Sequence, residues 1–541
     1  MDNKLRAALE AGEFVVTAEM IPGRGAKLES QKKKLVEAKK LYETGRIHAV
    51  SITDNPGGNS ALTASAFARD MVSNNITPLL HMSCKDRNRN MLTSALYSLE
   101  RSGIQNILAM TGDYPTSGWK GMARPVFDID PVQLLEMISD MNDGLRVTKA
   151  GQTVPDEDAT VEEPTHFFPG CCVSPFKYNE GELIPQYYKL DKKVHAGAQF
   201  VISQIGYDAR KMQELIWYMQ DAGYGHIPAI ANIYILSYGA GRAMNAGSVP
   251  GVTVTDDFLA VLDEERKAED KGKEARTVRA AKMIAIAKGL GYRGVHIGGP
   301  GITCDQVCHL LDLAAEFESR WEEFIPELDF GKEGGFYYYK EDPETGLNIH
   351  ELADRPEQHY ERAVQKNYGL SRFAHRTVFT PGKRLFPLFH SVEVALENRG
   401  ENKMGEGNGK YRHHGFEHVN KTNMFKCMDC GDCGLYATAY VCPMTQCPKC
   451  QRNGPCGGSN DGWCEVYPGV QRCIYYRAYY RLKKYGEENT LGDWIIQPNN
   501  WTTWQTSPWG NYHHGRDNIA RRERITPWRE DEHQEPPFEE W

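Results

Sequence analysis

The sequence predicts an α/β chain: a (β/α)8 TIM barrel followed by a smaller cysteine-rich metal-binding domain. Three observations predict it. Across the first 320 residues, eight short apolar runs alternate with longer helix-like stretches, the rhythm of parallel β/α units. Eight such units close a barrel. A doubly wound open sheet is the alternative, but no G-x-G-x-x-G follows the first strand. Nine of the 14 cysteines then fall between Cys427 and Cys473, at spacings that belong to metal ligation.

The elements run in order. Phe14–Met20 reads as the first strand, and residues 30–44 as the helix after it. His48–Thr53 is the second strand, with a helix around 60–74, and Ile76–His81 the third, with a helix near 89–102. Gln105–Met110 is the fourth. After a long loop, His166–Val173 is the fifth and Gln199–Gln204 the sixth. Ile227–Ile233 is the seventh and Gly294–Gly298 the eighth, so the barrel domain is set at residues 1–320. Residues 321–420 change character, with Glu, Lys, Tyr and His and glycine clusters at 331–335 and 399–409. They read as a connector with short helices, including 371–396. Residues 421–541 form the cysteine-rich domain with an aromatic extension. Trp494, Trp501, Trp504 and Trp509, with Trp528 just beyond, favour a C-terminal segment that wraps a neighbouring surface, because exposed tryptophan is costly in water.

Composition narrows the function classes. At 541 residues the chain has room for several domains. Its net charge of -9 argues against a general nucleic-acid binder. The N-terminus lacks the apolar core of a signal peptide, and no run of 18 apolar residues marks a membrane span. The expected location is the cytoplasm, where reduced thiols suit metal binding rather than a disulfide framework.

Cys427, Cys430 and Cys433 are spaced C-x2-C-x2-C, and Cys442 is followed by Pro443, the elements of ferredoxin-type cluster ligation. Cys447-x2-Cys450, with Cys456 and Cys464, begins a second possible set. The eight residues between Cys433 and Cys442 exceed the usual three, so Cys456 is an alternative fourth ligand for the first set. Cys473, in a run of apolar residues, reads as an ordinary core thiol outside both sets. The same spacings fit structural zinc, so [4Fe-4S] clusters and zinc both remain open.

In such a barrel the chemistry sits at the C-terminal ends of the strands. The polar residues there are Glu19, Thr53-Asp54, His81, Thr111-Gly112-Asp113 and Gln204. Each alone has an ordinary structural reading, as an ion pair, a core histidine or a capping amide. Together they point to one site. A strand-end glutamate walled by apolar neighbours is expected to have a raised pKa and hold a proton to donate.

Thr-Ala-Glu-Met-Ile-Pro, Ser-Ile-Thr, His81, Thr-Gly-Asp-Tyr-Pro and the Lys193–Gln204 segment resemble methylenetetrahydrofolate reductase over residues 10–318. Asn453-Gly-Pro-Cys-Gly-Gly458 resembles the cysteine-rich partner subunit of the acetogen-type enzyme, over roughly 350–520, here fused to the barrel. The resemblance implies a flavoprotein that reduces 5,10-methylenetetrahydrofolate to 5-methyltetrahydrofolate. By position it makes Glu19 the acid, Asp113 the carboxylate between flavin and pterin, and Gln204 a folate-contacting amide. It makes Thr53, His81, Thr111, Gly112, Asp113 and Lys193 the flavin site. Well-known members carry Arg where this chain has Thr111, which bears on FMN against FAD and favours FMN. The Ser237–Arg242 segment also departs from the family's phenylalanine-bearing loop, which leaves the nicotinamide site open. The first expectation is electron entry through C-terminal iron–sulfur clusters from ferredoxin or a partner oxidoreductase, in an oligomer or larger complex. The alternatives are direct reduction by NAD(P)H with a structural zinc domain, and a non-catalytic scaffold in an electron-transfer complex.

Overall fold

The structure is a computed structural model, described over residues 3–147, 159–355, 362–379, 383–398, 415–513 and 516–518. Eight strands close on themselves: β1 Val15–Met20, β2 Ala49–Ile52, β3 Pro78–Ser83, β4 Asn106–Met110, β5 Phe168–Val173, β6 Phe200–Ser203, β7 Ala229–Tyr234 and β8 Gly294–Gly298. Each pairs in parallel with the next, and β8 returns to β1 with Thr17 opposite His296. That closure excludes the open doubly wound sheet. The barrel helices in chain order are α1 Lys4–Glu10, α2 Glu29–Glu43, α3 Ala64–Val72, α4 Arg89–Glu100, α5 Pro131–Asp143, α6 Glu180–His195, α7 Ala209–Asp221, α8 Tyr238–Asn245, α9 Asp256–Glu265, α10 Lys273–Gly289 and α11 Cys304–Phe317.

The strands are buried on both faces, as β/α units require, and read as nearly continuous apolar runs. Helix α1 closes the bottom of the barrel, where Leu5 and Leu9 pack with Val15, Leu79, Leu108 and Ile230. Helix α3 begins four residues later than the sequence pattern suggests, because Pro56–Gly58 form a 3-10 turn with Gly58 at φ 69.

The connector contains an antiparallel hairpin, β9 Tyr339–Glu341 and β10 Asn348–Leu352, that the sequence reading did not anticipate. Arg210 of α7 holds it through Tyr339 O and Asn348 Oδ1, both at 2.9 Å. The helix expected over 371–396 is divided. After α12 Arg362–Gln365, α13 Tyr368–Ala374 runs into a π turn at His375–Phe379, and α14 spans Phe386–Asn398. The sequence between carries Pro381-Gly382, and proline removes a helix donor. The glycine cluster at 399–409 lies outside the described residues.

The C-terminal part has short helices, α15 Gly415–Phe425, α16 Pro443–Gln446, α17 Ile474–Lys483 and α18 Pro508–His513, around loops that carry the cysteines. All fourteen cysteines are free. Helix α6 is buried almost along its whole length because α17 lies across its outer face. Tyr480 sits where a Cβ on Gly181 would be, and Tyr479 donates to Glu180 at 2.7 Å. Residues 494–504 cross from barrel to cysteine loops: Ile496 O accepts from Gln133 Nε2 at 2.6 Å and from Asn453 Nδ2 at 2.9 Å. Of the tryptophans there, Trp501 and Trp504 remain exposed. The rest of the expected wrapping segment, with Trp528 and Trp541, lies beyond the described residues. No described helix is long and apolar enough to cross a membrane.

Candidate active site at the barrel mouth

A cavity of about 290 Å3 opens at the C-terminal ends of the strands. Its wall brings together Glu19, Thr53, Asp54, His81, Thr111, Gly112, Asp113, Lys193 and Gln204, the strand-end and flavin-site residues singled out from the sequence. Strand pairing is the reason: Glu19 stands opposite Ser51, and His81 opposite Leu108, so distant segments project at one level.

Glu19 faces two histidines. His296 Nε2 lies 3.7 Å from Glu19 Oε2, and one polar atom each of Glu19, His81 and His296 fall within 4.8 Å of one another. Burial pushes the Glu19 carboxyl up, but the close approach and charge of His296, with the charge of His81, outweigh it and hold the pKa below the ordinary value. The expected raised pKa is therefore overturned, because the neighbours are imidazoles rather than apolar side chains. His81 is itself pulled down to about 4, chiefly by burial, and its Nε2 meets Ser51 Oγ at 2.6 Å. Asp54 accepts from both Arg87 nitrogens, at 2.9 and 3.1 Å, and from Ser83. Burial opposes ionisation of Asp54, and Arg87 prevails, so its pKa is lowered. Asp113 accepts from Gly57 N at 2.6 Å, Gln204 Oε1 from Ile205 N at 2.9 Å, and Lys193 donates to Cys172 O. Gly112 has φ 84, and an added Cβ would stand 2.8 Å from Ser83 Cβ, so glycine is required there. Thr53 Oγ1, Ser174 Oγ and Gln186 Nε2 are buried on this wall with no hydrogen-bond partner. Three such atoms around one cavity offer hydrogen bonds to water or to a polar ligand.

The fourth side of the cavity comes from the cysteine loops. Lys449, Cys456, Gly457, Gly458 and Glu465 line it. Lys449 donates to Gly112 O at 2.8 Å and pairs with Glu465, while Thr111 Oγ1 donates to Gln451 Oε1 at 3.2 Å. Gly457 stands close enough that a Cβ would lie 3.7 Å from Ser174 and 3.8 Å from Gln186.

The cysteines fall into two neighbourhoods. Cys447, Cys456, Cys464 and Cys473 line one small cavity and interact electrostatically with one another. Cys473, expected to be a core thiol outside both sets, thus lies beside Cys447, Cys456 and Cys464. Helix α17 begins at the next residue, and Cys473 both lines this cavity and packs against the core around Val441, Ile474 and Tyr475. Cys427, Cys430, Cys433 and Cys442 form the other group through their mutual charges. Cys450 sits between the two, facing Cys442 and Cys447. Burial pushes these thiols up, Cys427 and Cys473 to about 12 and Cys450 to about 11. Buried cations stand beside both groups. Lys421 lies 3.7 Å from Cys433 Sγ, and Lys177, Lys189 and Lys449 each sense Cys456. Lys189 is pulled down to about 8, mainly by burial.

A family model described as methylenetetrahydrofolate reductase matches residues 4–298, more than half of the chain. The chain belongs to the methylenetetrahydrofolate reductase family. A second model, described as methylene-tetrahydrofolate reductase C terminal, matches residues 408–502. Methylenetetrahydrofolate reductase 1 of Schizosaccharomyces pombe is 23% identical over 249 residues, 44% of this chain and 37% of that protein. Methylenetetrahydrofolate reductase (NADH) 1 of Arabidopsis thaliana is 22% identical over 335 residues, 60% of this chain and 52% of that protein. The chain therefore spans about half the length, or less, of these curated relatives. Among solved structures, a Clostridium thermocellum protein that binds two copies of 5-methyl-5,6,7,8-tetrahydrofolic acid aligns with TM-score 0.40 at 11% identity, over 58% of this chain and 99% of that chain. A Coxiella burnetii dihydropteroate synthase in complex with pteroic acid aligns with TM-score 0.30 at 9% identity, over 57% of this chain and 94% of that chain. These two likenesses add nothing to the family assignment.

Within this reductase-family barrel, sequence reasoning missed His296, Ser174, Gln186, Lys449 and Glu465. His296 had a signal: it is the one polar side chain in Gly-Val-His-Ile-Gly, near the end of an otherwise apolar strand. The others had none, because their place in the cavity depends on how the cysteine loops dock.

Proposed function

We propose that the chain reduces 5,10-methylenetetrahydrofolate to 5-methyltetrahydrofolate at a barrel-bound flavin, with electrons entering through iron–sulfur clusters in the cysteine loops. The observation that carries this reading is the shared cavity. Glu19, Asp113 and Gln204 face the same space as Cys456, so an electron route from a cysteine-bound centre to the barrel mouth is short. The unpartnered Thr53, Ser174 and Gln186 atoms fit a polar, ring-bearing cofactor held among Thr53, His81, Thr111, Gly112, Asp113 and Lys193. FMN is preferred over FAD, since Thr111 offers no cation for a longer diphosphate.

A flavin, when bound, supplies the hydride. The chain's own residues orient the pterin and manage its protons. Glu19, whose lowered pKa leaves it ionised at rest, takes up a proton in the complex and passes it to the amine nitrogen of the five-membered ring, so the ring opens to an iminium ion. Asp113 favours that cation by its charge, and the Gln204 amide reads the pterin. His81, neutral above its low pKa, lines the floor without adding a positive charge.

Cys427, Cys430, Cys433 and Cys442 would hold one metal centre, and Cys447, Cys456, Cys464 and Cys473 the other. The ferredoxin-type C-x2-C-x2-C spacing of Cys427, Cys430 and Cys433 favours [4Fe-4S] over zinc. Buried lysines beside both groups suit centres of net negative charge. The electron donor is then ferredoxin or a partner oxidoreductase, met in an oligomer or larger complex. On this reading the chain fuses the reductase barrel to the acetogen-type cysteine-rich partner.

Anaerobically purified protein tests the reading. Its visible spectrum should show flavin bands with a broad brown shoulder, and iron and acid-labile sulfide should match. After reduction with dithionite it should be reoxidised by the methylene substrate, and Glu19→Gln should slow that step by on the order of 10²–10⁴. A colourless active protein, or about two zincs and no iron, would refute the corresponding part.

A further inference from the structure

We propose that Lys449 is a positioning residue of the barrel-mouth site: reaching in from the cysteine loops, it clamps the Thr111–Asp113 turn, so that the Asp113 carboxylate stays aimed at the pterin and the turn stays shaped for the flavin. The site is then built by both parts of the chain, and the barrel alone is incomplete. The inference rests on the reduction reading given above.

Three features of the structure carry it. First, the turn is already gripped from the barrel side. Asp113 Oδ2 accepts from Gly57 N at 2.6 Å, and Thr116 N donates to Gly58 O at 3.2 Å. An added Cβ on Gly58 would collide with Tyr114 O, so the loop after β2 lies flush against the turn. Gly112 packs as closely on Ser83 and Lys85. Second, the cysteine loops close the remaining side. Lys449 Nζ donates to Gly112 O at 2.8 Å, across 337 positions of sequence. Thr111 Oγ1 donates to Gln451 Oε1 at 3.2 Å, and Gln451 Nε2 donates to Lys449 O at 2.8 Å. Lys189 of α6 donates to the same Gln451 Oε1 at 2.8 Å, which braces the clamp against a barrel helix. Third, Lys449 is not a surface cation. Its side chain is 5% exposed, and that of its partner Glu465 is 6% exposed. An ion pair within the cysteine loops satisfies both charges without reaching the barrel; the Gly112 contact is an additional one that joins the two parts of the chain. Nearby cations are engaged elsewhere, Lys193 with Cys172 O and Lys85 with Asp86 at 3.1 Å.

The consequence is chemical as well as structural. Asp113 acts on the iminium ion through its charge, from a fixed distance and direction. An ångström of displacement at such a group costs on the order of 10²-fold in rate.

Lys449→Met, which keeps the apolar stem and loses the donor, tests this on the anaerobically purified full chain, beside Lys449→Arg, which keeps a donor. Titrating FMN into flavin-depleted protein reads the turn without turnover. The methionine variant should bind FMN at least fivefold more weakly, and the arginine variant within twofold of the native chain. Reduced, flavin-loaded protein is then reoxidised by 5,10-methylenetetrahydrofolate in a single turnover. Lys449→Met should slow that step at least tenfold at saturating substrate, with the half-saturating concentration within threefold. In an Asp113→Asn background the same change should cost less than twofold, because Lys449 acts through Asp113. Hydrogen exchange at the amides of Asn453 and Ile496 should stay at the native level, since the loops remain docked. An FMN affinity within twofold of native, additive losses in the cycle, a loss confined to the half-saturating concentration, an arginine variant no better than methionine, or lost protection at Asn453 and Ile496 would each overturn the proposal. A native chain that binds FMN but is not reoxidised by the methylene substrate would overturn the reduction reading alone, because the FMN titration still judges the clamp. A native chain that binds no flavin would overturn both.

Discussion

Asp130 ties the cysteine loops to the barrel, and Asp130→Ala should release them. Its Oδ1 caps α5 through Val132 N at 3.0 Å and Gln133 N at 3.3 Å. Its Oδ2 accepts from Arg452 N at 3.2 Å, Asn453 N at 2.9 Å and Asn453 Nδ2 at 3.0 Å. The residue is buried, so alanine removes the carboxylate from donors that have little solvent to replace it. Losing the cap costs about 1 kcal/mol. Three buried N–H groups left unpaired cost about 1–3 kcal/mol each. Taking the low end, because solvent can enter the vacated space, the total is about 4 kcal/mol. Asp130 also opposes the burial that pulls Lys189 and Lys192 down to about 8, so its removal leaves both lysines less favourably placed. If about 3 of those 4 kcal/mol fall on docking, the equilibrium between docked and open loops shifts by roughly two powers of ten. Hydrogen exchange on the full chain reads this directly. The amides of Arg452, Asn453 and Ile496 should lose protection by about a hundredfold, while β1 to β4 hold theirs. Asp130→Asn should loosen the same amides, since its Nδ2 would face three donors, but spare the α5 cap. Protection at Arg452 and Asn453 within threefold of the native chain would refute the reasoning, and would place the tie in residues 494–504 instead.

Three further outcomes follow from the same geometry. Cys473→Ala should lower the metal content by about one centre, as Cys456→Ala does, while Cys450→Ala leaves more bound than either; equal losses for Cys450→Ala and Cys473→Ala in metal analysis would contradict the sorting of the cysteines. His81 titrates near 4 in the fold and near 6.5 when unfolded, so its contribution is complete above pH 6.5 and is lost as the pH falls towards 4. The loss is roughly 3 kcal/mol, and urea unfolding of flavin-free protein should show a shallower acid slope for His81→Gln than for the native chain. Gly454→Ala should destabilise the docked loops by about 2–4 kcal/mol, since Gly454 has φ 136 and an added Cβ would lie 2.6 Å from Lys189 Cβ; a melting midpoint unchanged from the native value would count against that close approach.

Much of the barrel was legible in the sequence because its signals are local. A run such as Val15–Met20 is apolar whichever partner it finds, and strand-end polar residues such as Glu19, His81 and Asp113 stand out against it. The parallel rhythm then determines the level at which those side chains emerge. Cysteine spacing likewise singled out the cysteine-rich region without any knowledge of the fold.

What the sequence did not determine depends on segments far apart along the chain. The Glu19 pKa was misjudged because its sign is set by His296, which reaches it only when β8 closes against β1. The apolar neighbours of Cys473 say that it packs against a core, as it does, but only the fold shows that it also lines a cavity with Cys447 and Cys456. Lys449 and Glu465 enter the active-site wall only because Asp130 and Gln133 hold the cysteine loops over the barrel mouth. Periodicity reports what each segment buries. Only tertiary closure decides which charge faces which carboxylate, and over a few ångströms that decides the chemistry.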